Sequence, residues 1–94
     1  MTASVLQLTK DPQAVLDYHE DWSDWLPTGD TISTAAWSLT SGDVTIDSES
    51  ATSTVATVWL SGGTADTTAE VTCHIVTSAG REDDRTIELL IEQR

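Results

Sequence analysis

The two histidines, His19 and His74, and the single Cys73 are the first side chains to examine for a catalytic base or nucleophile. A catalytic triad needs a Ser or Cys held by a His that a carboxylate orients. His74 follows Cys73 directly, and neighbouring residues of a strand face opposite sides, so these two do not form such a pair. His19 lies among Asp17 and Asp21, but no nucleophile elbow or glycine-rich loop accompanies it. The sequence therefore predicts no catalytic residues and no enzymatic activity.

Clustered carboxylates raise the question of a metal site. Calcium takes six to eight oxygen ligands from a compact loop. The acidic segments 21–24, 43–49 and 81–84 lack the alternating Asp pattern of a dedicated calcium loop, and the single Cys73 provides neither a disulfide nor a zinc cluster. We therefore expect no metal, no cofactor, and carboxylates that form a solvated face.

The chain carries 16 acidic and 4 basic residues among 94, which gives a net charge of −12. Such a surface repels nucleic acid and anionic membranes, so neither is an expected partner. The amino-terminal segment lacks a basic region followed by an apolar core, and the apolar runs are too short to span a bilayer. The sequence therefore predicts synthesis in the cytoplasm and one domain.

The elements that position these side chains are strands. Thr and Ser are abundant, and short apolar alternations recur between Gly, Ser, Asp and Thr, which is typical of an all-β protein. We predict a single β-sandwich of six or seven short antiparallel strands over residues 13–94, preceded by an amino-terminal arm or edge strand over residues 1–12. The predicted strands lie within 15–22, 31–40, 43–48, 52–63, 69–81 and 85–94.

Three of the four Trp residues are expected in the core. Trp22 ends a strand of period two, and Trp22, Trp25 and Leu26 then follow the spacing of one helical turn, over residues 22–26. This turn folds over the strand end and closes the core with indoles. Trp37 lies on the inner face of the next strand. The alternative is that Trp22 and Trp25 form an exposed aromatic pair that stacks on sugars.

Trp59 is the exception, because Val58 and Leu60 already face the core from its strand and Trp59 should therefore point outward. Exposed large apolar side chains beside Thr and Glu are typical of a contact surface. Two alternatives are a local inversion of the strand register and an amino-terminal arm that covers Trp59. The candidate interface residues are Trp59, Val76, Leu90, Val5 and Leu6.

Three segments carry a resemblance to a known family: KDPQAVLDYHEDWSDWL, TVWLSGGTAD and TSAGREDDRTIELLIEQR. Over Lys10 to Arg94, the chain resembles small phage proteins described as fiber-tail adaptors. The sequence departs from this family at Glu20, where an apolar residue is favoured, and at Ala69, where an aromatic is usual. The first departure predicts a Glu20 near a sheet edge or reaching solvent, since an unpaired buried carboxylate is costly.

The resemblance implies an immunoglobulin-like sandwich and a non-enzymatic structural protein of a tailed-phage virion. It implies an adaptor or connector at the tail or head-to-tail region, whose partners are tail, neck or fiber proteins and which is present in several copies of a symmetric assembly. Two alternatives keep the same fold: a capsid decoration protein, and a carbohydrate-binding module for host-surface glycans.

Overall fold

The computed structural model describes the backbone of residues 4–93 and the side chains of residues 7–93. This part of the chain forms seven strands in two sheets, which confirms the predicted all-β sandwich. The strands are β1 (Ser4–Lys10), β2 (Leu16–Asp21), β3 (Ile32–Ser41), β4 (Val44–Ala51), β5 (Val55–Gly62), β6 (Thr67–Thr77) and β7 (Glu82–Ile91). None of its segments is a helix long and apolar enough to cross a membrane.

The first sheet has the order β1-β7-β6-β3, and the second has the order β2-β5-β4. All pairs are antiparallel except β1 with β7, which run parallel in the register Ser4 with Arg85 to Lys10 with Ile91. β1 lies within residues 1–12, outside the segment for which antiparallel strands were predicted, and it forms an edge strand of the first sheet. The orders β2-β5-β4 and β7-β6-β3 are compatible with the two sheets of an immunoglobulin-like sandwich.

The core lies between the inner faces of the two sheets and comes from alternate positions of the strands, as period-two burial requires. β5, β6 and β7 contribute most of it, since they are the strands with neighbours on both sides. The fully buried apolar side chains are Trp22, Ala56, Val58, Leu60, Ala69, Val71, Cys73, Ile75, Ile87, Leu89 and Ile91. Tyr18, Trp37 and Val44 are nearly as buried.

Two leucines share a strand face with buried aromatic residues but are exposed: Leu16 alternates with Tyr18, and Leu39 alternates with Trp37. Leu16 is 43% exposed and Leu39 is 40% exposed. Both lie on edge strands: Leu16 begins β2, and Leu39 precedes an irregularity in the pairing of β3 with β6.

A buried lysine links the two sheets at one end of the sandwich. The Lys10 side chain has no solvent exposure, and its Nζ donates to the carbonyl oxygens of Asp11 at 2.9 Å and Gly62 at 2.7 Å. Burial lowers the Lys10 pKa, which the nearby carboxylates of Asp11 and Asp47 partly offset. The end of β1 is thereby attached to the end of β5 in the other sheet.

The edge strands β3 and β4 are joined at the opposite side of the sandwich. The backbone N–H of Trp37 donates to Glu49 Oε1 at 3.0 Å, so a β4 carboxylate occupies part of the β3 edge. Gly42, in the turn between these strands, has φ +90°, and a Cβ there would lie 2.6 Å from the Ala69 Cβ. The small Ala69 and the glycine are therefore matched, and this edge is closed against further strand pairing.

Candidate functional site

Trp22 closes one end of the core. Its side chain is fully buried, and the chain continues into a single turn in which the Leu26 N–H donates to the Trp22 carbonyl oxygen at 3.0 Å. Trp25 packs edge-on against Trp22, with ring centroids 5.5 Å apart and planes at 74°. Trp37 is 6% exposed. The predicted core positions of these three indoles are confirmed, so Trp22 and Trp25 do not form an exposed sugar platform.

Arg85 lies over this end of the core. Its guanidinium carbon is 4.2 Å from the centroid of a Trp22 ring, in cation–π geometry. Nη1 donates to the Asp21 carbonyl oxygen at 2.9 Å and lies 3.5 Å from Glu20 Oε2, and Nη2 lies 3.4 Å from Asp24 Oδ1. Only 14% of the Arg85 side chain is exposed. One cation thus covers an indole and balances two carboxylates.

Glu20 meets the first of the two alternatives expected from the sequence, a position at a sheet edge. It lies on the edge strand β2, but it is only 9% exposed and does not reach solvent freely. Burial raises the Glu20 pKa, and the neighbouring Arg85 guanidinium partly reverses this rise. The carboxylate is tolerated inside because Arg85 extends inward from β7 to meet it.

The outer face of the four-stranded sheet is held by contacts between its own side chains. His74 Nδ1 lies 2.6 Å from Asp84 Oδ1, and His74 Nε2 lies 2.9 Å from Glu82 Oε1. The hydrogen bonds to Asp84 and Glu82 raise the His74 pKa, with burial opposing weakly. The hydroxyls of Thr72 and Thr86 are 3.0 Å apart on the same face. Polar groups on this face thus find partners within the chain.

The side chains that could do catalytic or metal chemistry do not converge. Cys73 is buried and His74 faces the other side of the sheet, as predicted. Burial raises the pKa of the Cys73 thiol to about 12, which keeps it protonated at neutral pH. Among the described residues, no group of three or more His, Cys, Asp or Glu is arranged to hold a metal ion.

An open hollow of about 360 Å³ lies where the segment after the Trp22 turn meets the hairpin between β6 and β7. Its one buried carboxylate, Asp30, accepts hydrogen bonds from the Ala79 N–H at 3.1 Å and from Arg81 Nη1 at 3.0 Å. Burial opposes ionisation of Asp30, but these bonds and those from Thr77 and the Thr31 N–H lower its pKa overall. The polar groups of the hollow therefore hold two loops together.

Trp59 lies on the outer face of the three-stranded sheet and is 43% exposed. The predicted outward orientation is confirmed, and the register is not inverted, since Val58 and Leu60 are fully buried. β1 belongs to the other sheet, so the described part of the amino-terminal segment does not cover Trp59. In the sheet, Trp59 stands between Asp17 on β2 and Ser48 on β4.

Trp59 is not alone at this corner. Val15 is 58% exposed and Leu16 is 43% exposed, and both immediately precede Asp17, the cross-strand partner of Trp59. By the alternation of β2, Val15 belongs to the outer face with Asp17 and Trp59, whereas Leu16 belongs to the inner face with Tyr18. We call Val15, Asp17 and Trp59 the Trp59 patch.

Sequence reasoning missed Val15 and Leu16 as surface residues. The available signal was that they are consecutive apolar residues at a strand start, where alternation requires one of them to face outward. The remaining candidates lie elsewhere: Val76 and Leu90 are half-buried on the outer face of the four-stranded sheet. Val5 and Leu6 belong to β1 by their backbone, but their side chains lie outside the described residues.

These features define a class of protein: a small all-β sandwich whose charged clusters serve the fold and which presents one exposed indole on the outer face of a sheet. The chain belongs to the family described as Podophage GP4 fiber-tail adaptor protein gp77, whose model matches residues 10–90. It is therefore a structural protein of the phage tail, located in the virion. A comparison with curated proteins gives no match.

Proposed function

We propose that this chain is a connector at the tail or head-to-tail region of a tailed-phage virion. It joins tail, neck or fiber components by direct protein–protein contacts and does no chemistry. It acts in several copies of a symmetric assembly. The observation that carries the proposal is the Trp59 patch, where an exposed indole and the exposed Val15 belong to the same outer face beside Asp17.

An exposed indole on a sheet has the properties of an interface anchor. Trp is enriched among the residues that dominate binding energies, and such residues act when a partner excludes water from them. The strands on both sides of Trp59 hold its backbone, so little conformational freedom is lost on binding. The proposed mechanism is therefore the docking of a stiff sandwich onto a preformed partner surface.

The test uses phage particles in which Trp59 of this chain is replaced by Ala. We expect the W59A chain to fold but to be absent from purified particles, measured by mass spectrometry of the particles and by cryo-electron microscopy of the tail. The matched control is Leu39→Ala, which removes an equally exposed apolar side chain from a different strand. Particles that contain normal amounts of W59A would overturn the Trp59 patch as the docking surface.

One further function is favoured by the same residue, because an exposed indole can also stack on a sugar ring. A glycan array probed with the purified chain distinguishes the two. Binding of a glycan that W59A abolishes, together with normal particle content of W59A, would favour a carbohydrate-binding module over the connector.

A further inference from the structure

We propose that the partner of the Trp59 patch presents a cationic side chain, an Arg above all, that covers the Trp59 indole and pairs with Asp17. This inference rests on the proposed function, since it names the chemistry of the surface that docks there. Three observations support it: the charge around Trp59, the positions of the chain's own cations, and the arrangement at Trp22.

The surroundings of Trp59 are anionic, and the carboxylate nearest to it in the sheet has no ion pair in the described residues. Asp17 stands directly opposite Trp59 on β2, a position that brings the two Cβ atoms to about 4.5–5.5 Å. Asp17 is exposed, and within residues 7–93 it forms no ion pair. Asp47, on the bulged part of β4, accepts a hydrogen bond from the Ser61 hydroxyl at 3.1 Å. A docking partner must therefore face carboxylates as well as an indole.

The basic residues that the structure describes are occupied elsewhere. Lys10 is buried and donates to carbonyl oxygens, Arg81 pairs with Asp30 at 3.0 Å, and Arg85 lies over Trp22. The whole chain has 16 acidic against 4 basic residues. An acidic or neutral partner surface would leave the carboxylate of Asp17 without a counter-charge when water is excluded, which is costly. Charge complementarity therefore favours a basic partner.

The chain itself already contains one site where a cation covers an indole and pairs with carboxylates. At the Trp22 end, an indole, two carboxylates and a guanidinium occur together, with the guanidinium 4.2 Å from the ring centroid and 3.5 Å from Glu20 Oε2. At the Trp59 patch the indole and a carboxylate are present, and in the described residues no ring or cation covers Trp59. As the partner's cation over Trp59, Arg is more suitable than Lys, because its planar guanidinium can stack on an indole and pair with a carboxylate at the same time.

The experiment measures the rebinding of purified chain to phage particles that lack it, prepared from a phage whose gene for this chain carries a nonsense codon. The variants are Asp17→Asn, Asp17→Lys and Trp59→Ala, with Glu70→Gln as the control. Glu70 lies on the outer face of the opposite sheet, and its replacement makes the same charge change as Asp17→Asn. Urea unfolding of each variant verifies that it is folded.

We expect Asp17→Asn to weaken rebinding by about 30-fold and Asp17→Lys by at least a further tenfold, because each leaves the cation of the partner unpaired or repelled. Rebinding of the wild-type chain should weaken as NaCl rises from 0.1 to 0.5 M, and that of Asp17→Asn should weaken less. Glu70→Gln should rebind as wild type. Phage that regain growth with Asp17→Lys should carry a Lys or Arg replaced by an acidic residue in a tail or fiber protein.

Different failures have different meanings. If Trp59→Ala abolishes rebinding while both Asp17 variants rebind as wild type, the cationic partner is wrong and the connector function stands. If Trp59→Ala also rebinds normally, the Trp59 patch is not the docking surface, and the proposed function loses its supporting observation together with this inference.

Discussion

Trp22 and Trp59 show how the same residue type serves two purposes in this protein. Trp22 is fully buried, covered by Arg85 and closed over by the turn that includes Trp25. Trp59 is 43% exposed and faces outward beside Asp17. The difference lies in the cation: the chain supplies one to Trp22, and no described cation reaches Trp59. The first site is complete within the fold, and the second is the surface that we propose for contact with a neighbour.

The largest loss of stability is expected when Trp22, at the site that is complete within the fold, is replaced. Trp22→Ala should lower the free energy of unfolding by about 3–5 kcal/mol, because it leaves a cavity at the end of the core and removes the support of Arg85. Trp59→Ala should lower it by less than about 1 kcal/mol, because much of this side chain is in water. Urea unfolding followed by circular dichroism measures both. Equal losses for the two variants would contradict the comparison.

Arg85→Met tests whether the cation holds the Trp22 end together. The aliphatic chain is kept, but Glu20 then remains nearly buried without its counter-charge, so we expect a loss of about 3 kcal/mol. The Glu20→Gln/Arg85→Met double variant should recover a large part of that loss, since no buried charge remains uncompensated. Urea midpoints of the two variants measure the recovery. A double variant no more stable than Arg85→Met would show that the guanidinium acts through Trp22 and Asp21 alone.

Glu20→Gln tests the Trp22 end through the pH dependence of its stability. Burial is the main cause that holds the Glu20 pKa above its ordinary 4.5, so its ionised form at neutral pH opposes folding. Wild type should therefore gain stability relative to Glu20→Gln as pH falls from 7 through the raised pKa to about 4.5. At pH 7 we expect Glu20→Gln to be at least as stable as wild type, by urea unfolding. A clear loss of stability at pH 7 would mean that the Arg85 pair outweighs burial.

The smallest effect is expected at His74, where the chain supplies a cation to its own outer face. Its pKa is raised by Asp84 and then Glu82, so the stabilisation is fully present below pH 6.5 and is lost as pH rises through the raised value. Because the groups are about half exposed, the loss should stay below about 1 kcal/mol. The change in urea midpoint between pH 6 and pH 9 should be smaller for His74→Gln. The same change in both proteins would contradict this assignment.

The position of Trp59 could be predicted from the sequence, whereas the exposure of Leu16 could not. The outward position of Trp59 follows from Val58 and Leu60, because a strand that turns two residues to the core must turn the one between them away. The exposure of Leu16 does not follow from its pattern, which matches that of the buried Tyr18. Tyr18 packs in the core and Leu16 does not, and this difference depends on the tertiary packing of distant segments rather than on a local pattern.

Charged residues were the hardest to predict. Lys10, Glu20 and Arg85 sit at positions whose alternation points inward, and from the sequence each would be expected to seek water. Lys10 contacts the Gly62 carbonyl oxygen, and Glu20 and Arg85, which are 65 positions apart in the sequence, meet only in the folded sandwich. The burial of a charge depends on its partner, and a partner distant in sequence leaves no local signal.

The amino-acid sequence by itself determined the all-β class, the two-sided strands, the turn after Trp22 and the division of the indoles between core and surface. These depend on local alternation and turn chemistry, which act over a few residues. The tertiary structure alone decided that β1 pairs in parallel with β7, that Arg85 closes the Trp22 end, and that Leu16 is exposed although Tyr18 on the same face is buried. Each of these depends on which distant strands pack together.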